Sequence, residues 1–407
     1  MFCKIKLSNK QRQIAILYIC SMLGVLFGVL SSIVNTRFLP PNDYGDVRFV
    51  QNFANLGATV LYLGYFISGS RLLALWKDNN EKRNLRGTLI VVLGVTAVIL
   101  FSFMFFCFIY YSDQNYSLLF LGALPFCLHL LFYNFIINTA QGDNRIGLMA
   151  ATQLLPYALY VPVAYLIYSQ TGVTSNKMML LQGGVYLMVS SIVVFLSQLS
   201  FKNIKYCYKE LIIENKNYGD QVYWGSLAMI ATTYLAGISI GAFGDNNVEV
   251  GFYSLAVTVA NPMTMLPSII GVIFFKDFAN LNIIPAKVLK GSFVLTLLSC
   301  LFFIILIKPV VVLLYSSQYA SVGSYAIWLS IGCSIHGLGD LFGKFLMAHG
   351  QGEQVRNSSI YCGVAKLIGY ILLVYLWGVN GAILTTIISD SLYFGNMVIS
   401  YIKYSKF

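Results

Sequence analysis

The chain has 407 residues, of which 58% are hydrophobic and 10% are charged, and its mean hydropathy is +0.74. A soluble domain carries about 25% charged residues, so a water-soluble fold is excluded. At roughly 20 apolar residues per transmembrane helix, the length accommodates about twelve spans and no soluble domain of any size. The net charge of +11 would suggest nucleic-acid binding in a soluble protein. Here the basic residues lie almost entirely between apolar runs, and no nucleic-acid partner is expected.

Apolar windows predict an all-α integral membrane protein with six helices in each half of the chain. The predicted spans of the first half are 13–35, 49–76, 87–112, 117–139, 146–168 and 178–198. Those of the second half are 223–243, 251–275, 291–307, 324–347, 360–377 and 381–404. The predicted organisation is an N-terminal six-helix lobe (1–198), a cytoplasmic linker (199–221) and a C-terminal six-helix lobe (222–407). Part of the Lys-rich linker, 201–213, is a candidate for lying along the membrane surface.

The distribution of Lys and Arg predicts the orientation of the chain, because basic residues resist translocation. About 19 of them fall on one side of the predicted spans and only four, Arg37, Arg48, Lys177 and Lys308, on the other. The basic-rich side includes Lys4, Lys6, Lys10 and Arg12 near the N-terminus, and Lys276 and Lys406 farther along. Both termini are therefore expected in the cytoplasm, and the first apolar run is expected to be an uncleaved signal anchor.

A weak internal repeat relates the two halves. Gly45 and Gly251 each lie in a predicted outer turn, two residues after an acid, and Gly142 and Gly350 follow the fourth and tenth predicted helices. The members of the two pairs are 206 and 208 residues apart. This nearly constant offset favours a duplicated bundle, and such repeats commonly place a substrate site at their interface.

Four short motifs, in their order along a twelve-helix plan, resemble the polysaccharide flippases. These are the O-antigen translocases of the multidrug, oligosaccharidyl-lipid and polysaccharide exporter superfamily. The motifs are TRFLPPNDYG at 36–45, VGFYSLA at 250–256, AHG at 348–350 and WGVNGA at 377–382. The resemblance covers essentially the whole chain. It implies two six-helix lobes forming a V around a central cavity that is lined by the first, second, seventh and eighth helices.

The activity implied by this resemblance is alternating-access transport of an undecaprenyl-pyrophosphate-linked oligosaccharide, such as an O-antigen repeat unit of lipopolysaccharide. The location would be the bacterial inner membrane. Implied partners are the lipid-linked substrate and membrane lipids, with a polymerase and other polysaccharide assembly proteins as candidates. No cofactor or metal is expected, since neither the eight cysteines nor His129 and His336 have ligand spacing.

Three arginines are candidates for binding the diphosphate, because a guanidinium donates bidentate hydrogen bonds and stays charged. Arg71 follows small residues of the second helix, and Arg37 and Arg48 flank the first outer turn. The alternative for Arg71 is snorkelling to cytoplasmic head groups. For Arg37 and Arg48 the alternatives are interfacial anchoring or pairing with nearby acids, and these are favoured over a binding role.

The second half carries four intramembrane charges, Asp340, Lys344, Lys366 and Asp390, which are costly at such depth unless paired or hydrated. Asp340 and Lys344 have the i,i+4 spacing that favours a local ion pair. Lys366 and Asp390 lie at similar depth on consecutive antiparallel helices. A structural pair is the favoured interpretation there, and a coupling-cation or proton site centred on Asp390 is the alternative.

Two rival functions remain open from the sequence. The chain is not expected to be an enzyme, such as a polysaccharide polymerase or glycosyltransferase, because its outer connections are too short to hold a catalytic pocket. An exporter of another lipid precursor or of a drug would share the fold. The first half contains no intramembrane acid for a cationic drug, which favours an anionic lipid-linked substrate.

Overall fold

The computed structural model describes the backbone of residues 9–405 and the side chains of 19–405, except 221, 225, 226, 228–231 and 276. Cys3, Lys276, Lys406 and the N-terminal basic residues named above lie outside these described side chains. The described chain is helical from end to end, and it forms two compact units. This confirms the all-α prediction.

The first unit contains the chain up to Leu39 together with Phe53–Trp224. Its helices are α1 (Asn9–Phe38), the second part of α2 (Pro41–Val60), α3 (Tyr65–Leu75), α4 (Asn79–Tyr110), α5 (Leu118–Gly122), α6 (Leu124–Gly142), α7 (Ile146–Thr171), α8 (Ser175–Leu196) and α9 (Ile204–Glu214). A π-helical turn, Asn215–Gly219, leads from α9 into α10 (Asp220–Phe243).

The second unit contains Pro40–Asn52 and the chain from Gly225 onward. It holds the beginning of α2, most of α10, and α11 (Val248–Ala260), α12 (Pro262–Ile273), α13 (Phe275–Phe278), α14 (Ala286–Tyr315), α15 (Ala320–Ala348) and α16 (Gly352–Ser405). Helices α2 and α10 thus contribute residues to both units. The domain boundaries inferred from the sequence stay a prediction.

Seven described helices are long and apolar enough to cross a bilayer, or eight if the bent pair α2 and α3 forms one span. The 54-residue helix α16 consists of two arms that meet at Gly378, whose φ of 55° and ψ of −136° are not helical. We call residues 352–377 the first arm and 379–405 the second arm. With these two arms and with α6, α10 and α15, the described chain holds about twelve membrane-sized segments.

The second predicted span differs most from its expected form. The sequence predicts one helix over 49–76, but the chain breaks between Val60 and Tyr65, and α2 and α3 meet at a bend of 51°. Leu63 and Gly64 have φ of 48° and 73° at the break. The side-chain amide of Asn215 donates to the Leu63 carbonyl, which lies beyond the end of α2. A polar side chain from another segment thus forms a hydrogen bond with a backbone carbonyl at the break in the helix.

The first repeated glycine pair, Gly45 and Gly251, is helical, which contradicts the predicted outer turns. Helix α2 begins at Pro41 and α11 begins at Val248, so Gly45 and Gly251 lie in the first turns of two helices. Pro41 suits the first position of α2, because the fixed φ of proline is helical and a backbone N–H there would have no partner within the helix. The two helices cross with backbones almost in contact: a Cβ on Gly251 would lie 3.1 Å from the Gly45 Cα.

The predicted linker contains ordered helix. Helix α9 packs against α3 and α4 within the first unit, and its Cys207 and Leu211 are buried. Trp76, after the end of α3, stacks on Tyr206 with ring centroids 6.5 Å apart. The structure thus places the middle of 199–221 against the first unit, through apolar residues spaced four apart.

Candidate functional site

A polar cavity of about 220 Å³ lies within the second unit, among α10, α11, α12, α15 and both arms of α16. Few polar side chains are expected at this depth in a membrane protein, and those that occur mark functional sites. Its lining combines three ionisable residues, His336, Lys366 and Asp390, with hydroxyl, thiol and amide side chains. The polar lining residues besides these three are Thr233, Tyr253, Asn261, Thr264, Cys333, Tyr370 and Thr386.

Asp390 is the centre of this cluster. Its Oδ1 atom lies 3.0 Å from Lys366 Nζ and 3.1 Å from His336 Nδ1, so two nitrogen groups from different helices meet one carboxylate oxygen. Asp390 is buried on the second arm. Lys366 on the first arm and His336 on α15 are also largely shielded from solvent. The structure therefore brings Lys366 and Asp390 together and adds His336, which the sequence did not assign to this group.

Asp340 extends the cluster by one helical turn of α15. Its two carboxylate oxygens accept hydrogen bonds from Tyr393 (3.0 Å) and Ser268 (2.7 Å). Its Oδ1 atom lies 4.0 Å from His336 Nε2. His336 thus stands between two carboxylates, and its ring stacks on Tyr393 with centroids 4.4 Å apart.

Lys344 does not join this group. No ion pair links it to Asp340 among the described side chains, although the i,i+4 spacing suggested one. The stem of Lys344 packs instead against the backbone of α12 at Gly271, where a Cβ would lie 3.0 Å from the Lys344 Cγ. Asp340 has closer partners because α12 and the second arm carry hydroxyl groups at its level.

Small residues of α15 allow this convergence of helices. A Cβ on Gly337 would lie 2.4 Å from the Thr264 carbonyl oxygen, and one on Gly332 would lie 3.4 Å from Asp390 Oδ2. Small residues at helix interfaces let membrane helices approach closely, so polar groups can meet across them. The glycines of α15 thus bring α12 and the second arm close to this helix, so that Ser268 reaches Asp340 and Asp390 reaches His336.

Hydroxyl groups also line the cavity, one helical turn from the ion pair along both arms of α16. Thr386 Oγ1 lies 3.2 Å from the Tyr253 hydroxyl and 3.0 Å from the Tyr370 hydroxyl. These three side chains are buried and come from α11 and both arms of α16. The cavity therefore combines hydrogen-bond donors and acceptors with an ion-paired carboxylate, which suits a small hydrated cation or a proton.

Arg71 on α3 belongs to the first unit and has two partners there. Its Nη1 atom lies 2.6 Å from Glu214 Oε1 at the end of α9, and its guanidinium lies 4.8 Å from the centre of the Tyr218 ring. The Arg71 side chain is nevertheless 46% exposed. Some N–H groups of the Arg71 guanidinium are therefore accessible to another anion.

The other two candidate arginines are helical, Arg37 in the last turn of α1 and Arg48 within α2. Arg48 is half-buried and donates from Nε to the Tyr44 hydroxyl (2.7 Å) and from Nη1 to Gln51 Oε1 (3.1 Å). Arg37 is exposed near the end of α1. The structure thus places Arg48 in hydrogen bonds with polar neighbours of its own helix.

A second ionic cluster, which the sequence did not reveal, ties the ends of α4, α6 and α8 together. Asp143 lies 2.9 Å from Lys82, 2.8 Å from Arg145 and 3.7 Å from Arg86. Arg86 also donates to the Ser197 carbonyl at 2.6 Å. Burial raises the pKa of Asp143, but the hydrogen bond from Lys82 and the three positive charges outweigh it and hold the pKa below its usual value.

Within the described part of the chain, no group of three or more His, Cys, Asp or Glu side chains is arranged to hold a metal ion. The ionisable cluster of α15 and α16 contains the ammonium group of Lys366 beside Asp390, and an ammonium group repels a divalent metal.

Comparison with known proteins gives a consistent result. No family model matches the sequence, and no curated protein does. Solved structures match over nearly the whole chain. The lipid II flippase MurJ, in an inward closed conformation, has a TM-score of 0.73 at 13% identity, with 96% of this chain and 90% of that chain covered. An inward-facing multidrug resistance MATE family transporter of the MOP superfamily has a TM-score of 0.63 at 13% identity, with 96% and 99% covered.

The chain has the fold of the MOP-superfamily transporters. A third match, a MOP superfamily transporter from Pyrococcus furiosus, has a TM-score of 0.60 at 16% identity and covers 97% of this chain and 96% of that chain. Its binding pocket is described as having reverse polarity, which suggests a different function for that protein. These matches confirm a multi-pass transporter fold of about twelve helices. The three matched proteins are described as a flippase and two transporters.

Proposed function

We propose that this protein is a flippase that moves an undecaprenyl-pyrophosphate-linked oligosaccharide across the bacterial inner membrane by alternating access. Both termini would lie in the cytoplasm. The observation that carries this proposal is the match to the lipid II flippase, whose TM-score of 0.73 exceeds the 0.63 and 0.60 of the MATE and Pyrococcus transporters. Lipid II flippase is the name of a lipid-precursor transporter, and the sequence motifs independently resemble the polysaccharide flippases.

Arg71 is the proposed contact for the pyrophosphate. Its guanidinium is 46% exposed and is paired on one side with Glu214. A diphosphate carries more negative charge than a carboxylate and accepts bidentate hydrogen bonds. It would therefore compete with Glu214 for the guanidinium group of Arg71. Glu214 would then hold Arg71 in position between substrates. Arg37 and Arg48 would act at the membrane interface, in keeping with the polar neighbours of Arg48 on its own helix.

The cluster around Asp390 is the proposed coupling site. Asp340 and Asp390 are two carboxylates with one ammonium group, that of Lys366, within 4.0 Å of either. The group carries a net charge of −1 when His336 is neutral, and such a charge is costly inside a membrane. Binding of one proton or one monovalent cation neutralises it. Lys344, one turn along α15, is left out of this charge count because, among the described side chains, it forms no ion pair with Asp340.

Transport assays of paired variants test the role of Arg71. In a strain that lacks the gene, the wild-type protein should restore glycan assembly on the outer leaflet, whereas Arg71→Ala should lower the rate at least tenfold. The matched control is Arg356→Ala, since Arg356 is 49% exposed and lies 3.6 Å from Glu353. If Arg71 binds the substrate, Glu214→Gln should keep most of the activity, because it removes only the competing anion.

Two outcomes would contradict these proposals. Normal glycan assembly in the deleted strain would exclude the flippase function. Equal losses in Arg71→Ala and Glu214→Gln would mean that the salt bridge supports the fold and that Arg71 is not a substrate contact. For coupling, Asp390→Asn should abolish the response to either a proton or a sodium gradient. Unchanged transport under both gradients would remove Asp390 as the coupling site.

The second candidate is an exporter of a drug or of another lipid precursor. The MATE match, with a TM-score of 0.63, favours it as the alternative. The two functions differ in the charge of the substrate. A purified protein that binds lipid diphosphates and not cationic drugs would support the flippase, and the opposite preference would support the drug exporter.

A further inference from the structure

A second cavity, larger than the polar one, lies within the first unit and has a different chemistry. It is a groove of about 600 Å³ between α4, the break that precedes α3, and α9. Its floor is one face of α4, where Thr88, Val92, Thr96 and Ile99 recur at helical spacing. Apart from two threonines, this floor is apolar.

The polar groups of the groove collect at one end. Lys205 and Tyr208 come from α9, and Tyr65 begins α3. This end lies beside Thr88, because α9 packs against α4 and the α4 backbone at Gly87 meets Ser200 and Phe201 just before α9. The groove thus has a cationic, hydroxyl-bearing end and an apolar end.

The length of the groove matches one leaflet of a bilayer. Thr88 and Ile99 are eleven residues apart on α4, which corresponds to about 16 Å at 1.5 Å per residue. The hydrocarbon core of a bilayer is about 30 Å thick, so each leaflet contributes about 15 Å. A chain that begins at Lys205 and lies along α4 would therefore end near the middle of the membrane.

We propose that this groove binds one anionic phospholipid of the leaflet on the α9 side. Its phosphate would accept hydrogen bonds from Lys205 and Tyr208, and one acyl chain would lie along the valines of α4. Charge complementarity supports an anionic head group, because Lys205 lines the groove and Lys202 precedes it in the same segment. The bound lipid would join α4 to α9, which precedes the first long helix of the second unit.

The test measures lipid binding by the full-length protein in detergent. Native mass spectrometry would count bound phosphatidylglycerol during a titration, with phosphatidylcholine as the neutral probe. Lys205→Gln should weaken phosphatidylglycerol binding about fivefold, as expected for one cation near a lipid phosphate. Val95→Trp fills the groove at its middle and should weaken binding of the same lipid about tenfold or more, since each excluded methylene of a lipid chain loses its burial.

Matched controls lie on the same two helices. Lys209→Gln removes a lysine of α9 that does not line the groove, and Val98→Trp enlarges a residue of α4 outside it. Val98 is 65% exposed and Val95 is 59% exposed, so both tryptophans face the lipid side. Neither control should change phosphatidylglycerol binding. Equal effects of the controls and the groove variants would overturn the proposal.

Two competing lipids complete the test. Phosphatidylcholine has the same phosphate but no net charge, so equal binding of this lipid would show that the groove does not select an anionic head group and would overturn the proposal. Undecaprenyl phosphate should not displace phosphatidylglycerol at equal concentration. If it does, the groove holds a prenyl lipid and the proposed phospholipid is wrong. None of these measurements depends on transport, so their failure would leave the proposed flippase function standing.

Discussion

Removing Lys366 should destabilise the protein more than removing both members of its ion pair. The ammonium group of Lys366 lies 3.0 Å from Asp390, which is 3% exposed. Lys366→Met keeps the volume of the aliphatic stem but leaves the carboxylate of Asp390 in the membrane with His336 as its remaining partner. Adding Asp390→Asn removes the uncompensated charge, so the double variant should recover much of the lost stability.

The magnitude follows from the burial of the pair. Breaking a buried ion pair by removing one partner costs about 3–5 kcal/mol, whereas replacing both partners with neutral groups is often close to neutral. Since His336 Nδ1 still lies 3.1 Å from Asp390, the cost of Lys366→Met should fall at the lower end, about 3 kcal/mol. The double variant should lose about 1 kcal/mol, which is about 2 kcal/mol less than Lys366→Met alone, so the effects of the two single changes should not add.

Reversible unfolding in mixed micelles would measure these free energies. The four proteins of the cycle are the wild type, Lys366→Met, Asp390→Asn and the double variant, each titrated with SDS and followed by circular dichroism. The reasoning would be refuted if Lys366→Met cost less than about 1 kcal/mol, or if the two single changes simply added in the double variant. Either result would mean that the pair is hydrated or separated in the membrane.

Two further predictions concern other parts of the chain. Asp143 has a lowered pKa, so its ion pairs contribute stability that is present above the usual aspartate pKa of about 4 and lost as the pH falls below it. The thermal midpoint of Asp143→Asn should therefore fall less than that of the wild type between pH 6 and pH 3. Gly45→Ala should lower stability by about 1–3 kcal/mol in the same SDS titration, because its Cβ would lie 1.9 Å from the Asn247 carbonyl oxygen. Gly94→Ala, which meets no atom within 4 Å, should be neutral or stabilising, and an equal loss in both variants would contradict the close contact.

Hydropathy and charge predicted most of the fold, because a bilayer requires long apolar helices. They could not predict the break between α2 and α3. The run 49–76 is long and mostly apolar, and the residue that bonds to the Leu63 carbonyl at the break is Asn215, more than 150 residues away. A hydropathy pattern cannot predict that a polar side chain far away in the sequence will hydrogen-bond to a backbone carbonyl at the break of a helix.

The candidate site was partly predictable for a similar reason. Lys366 and Asp390 could be assigned to one depth because they lie on consecutive spans. His336 could not be assigned to them, since Asp390 is 54 residues away and on another helix. The isolated i,i+4 rule also favoured a contact between Asp340 and Lys344, but the tertiary neighbours Ser268 and Tyr393 bind Asp340 instead.

The single-residue turn at Gly378 sets the meeting point of Lys366 and Asp390. Lys366 is twelve residues before the turn and Asp390 is twelve residues after it, so both lie about 18 Å from it along their arms. Inserting one residue on either side of Gly378 would move one partner by about 1.5 Å and rotate it by about 100° around its helix. This hairpin should therefore tolerate insertions far less well than ordinary loops. The number of residues between Lys366 and Asp390 determines whether the two charged side chains face each other.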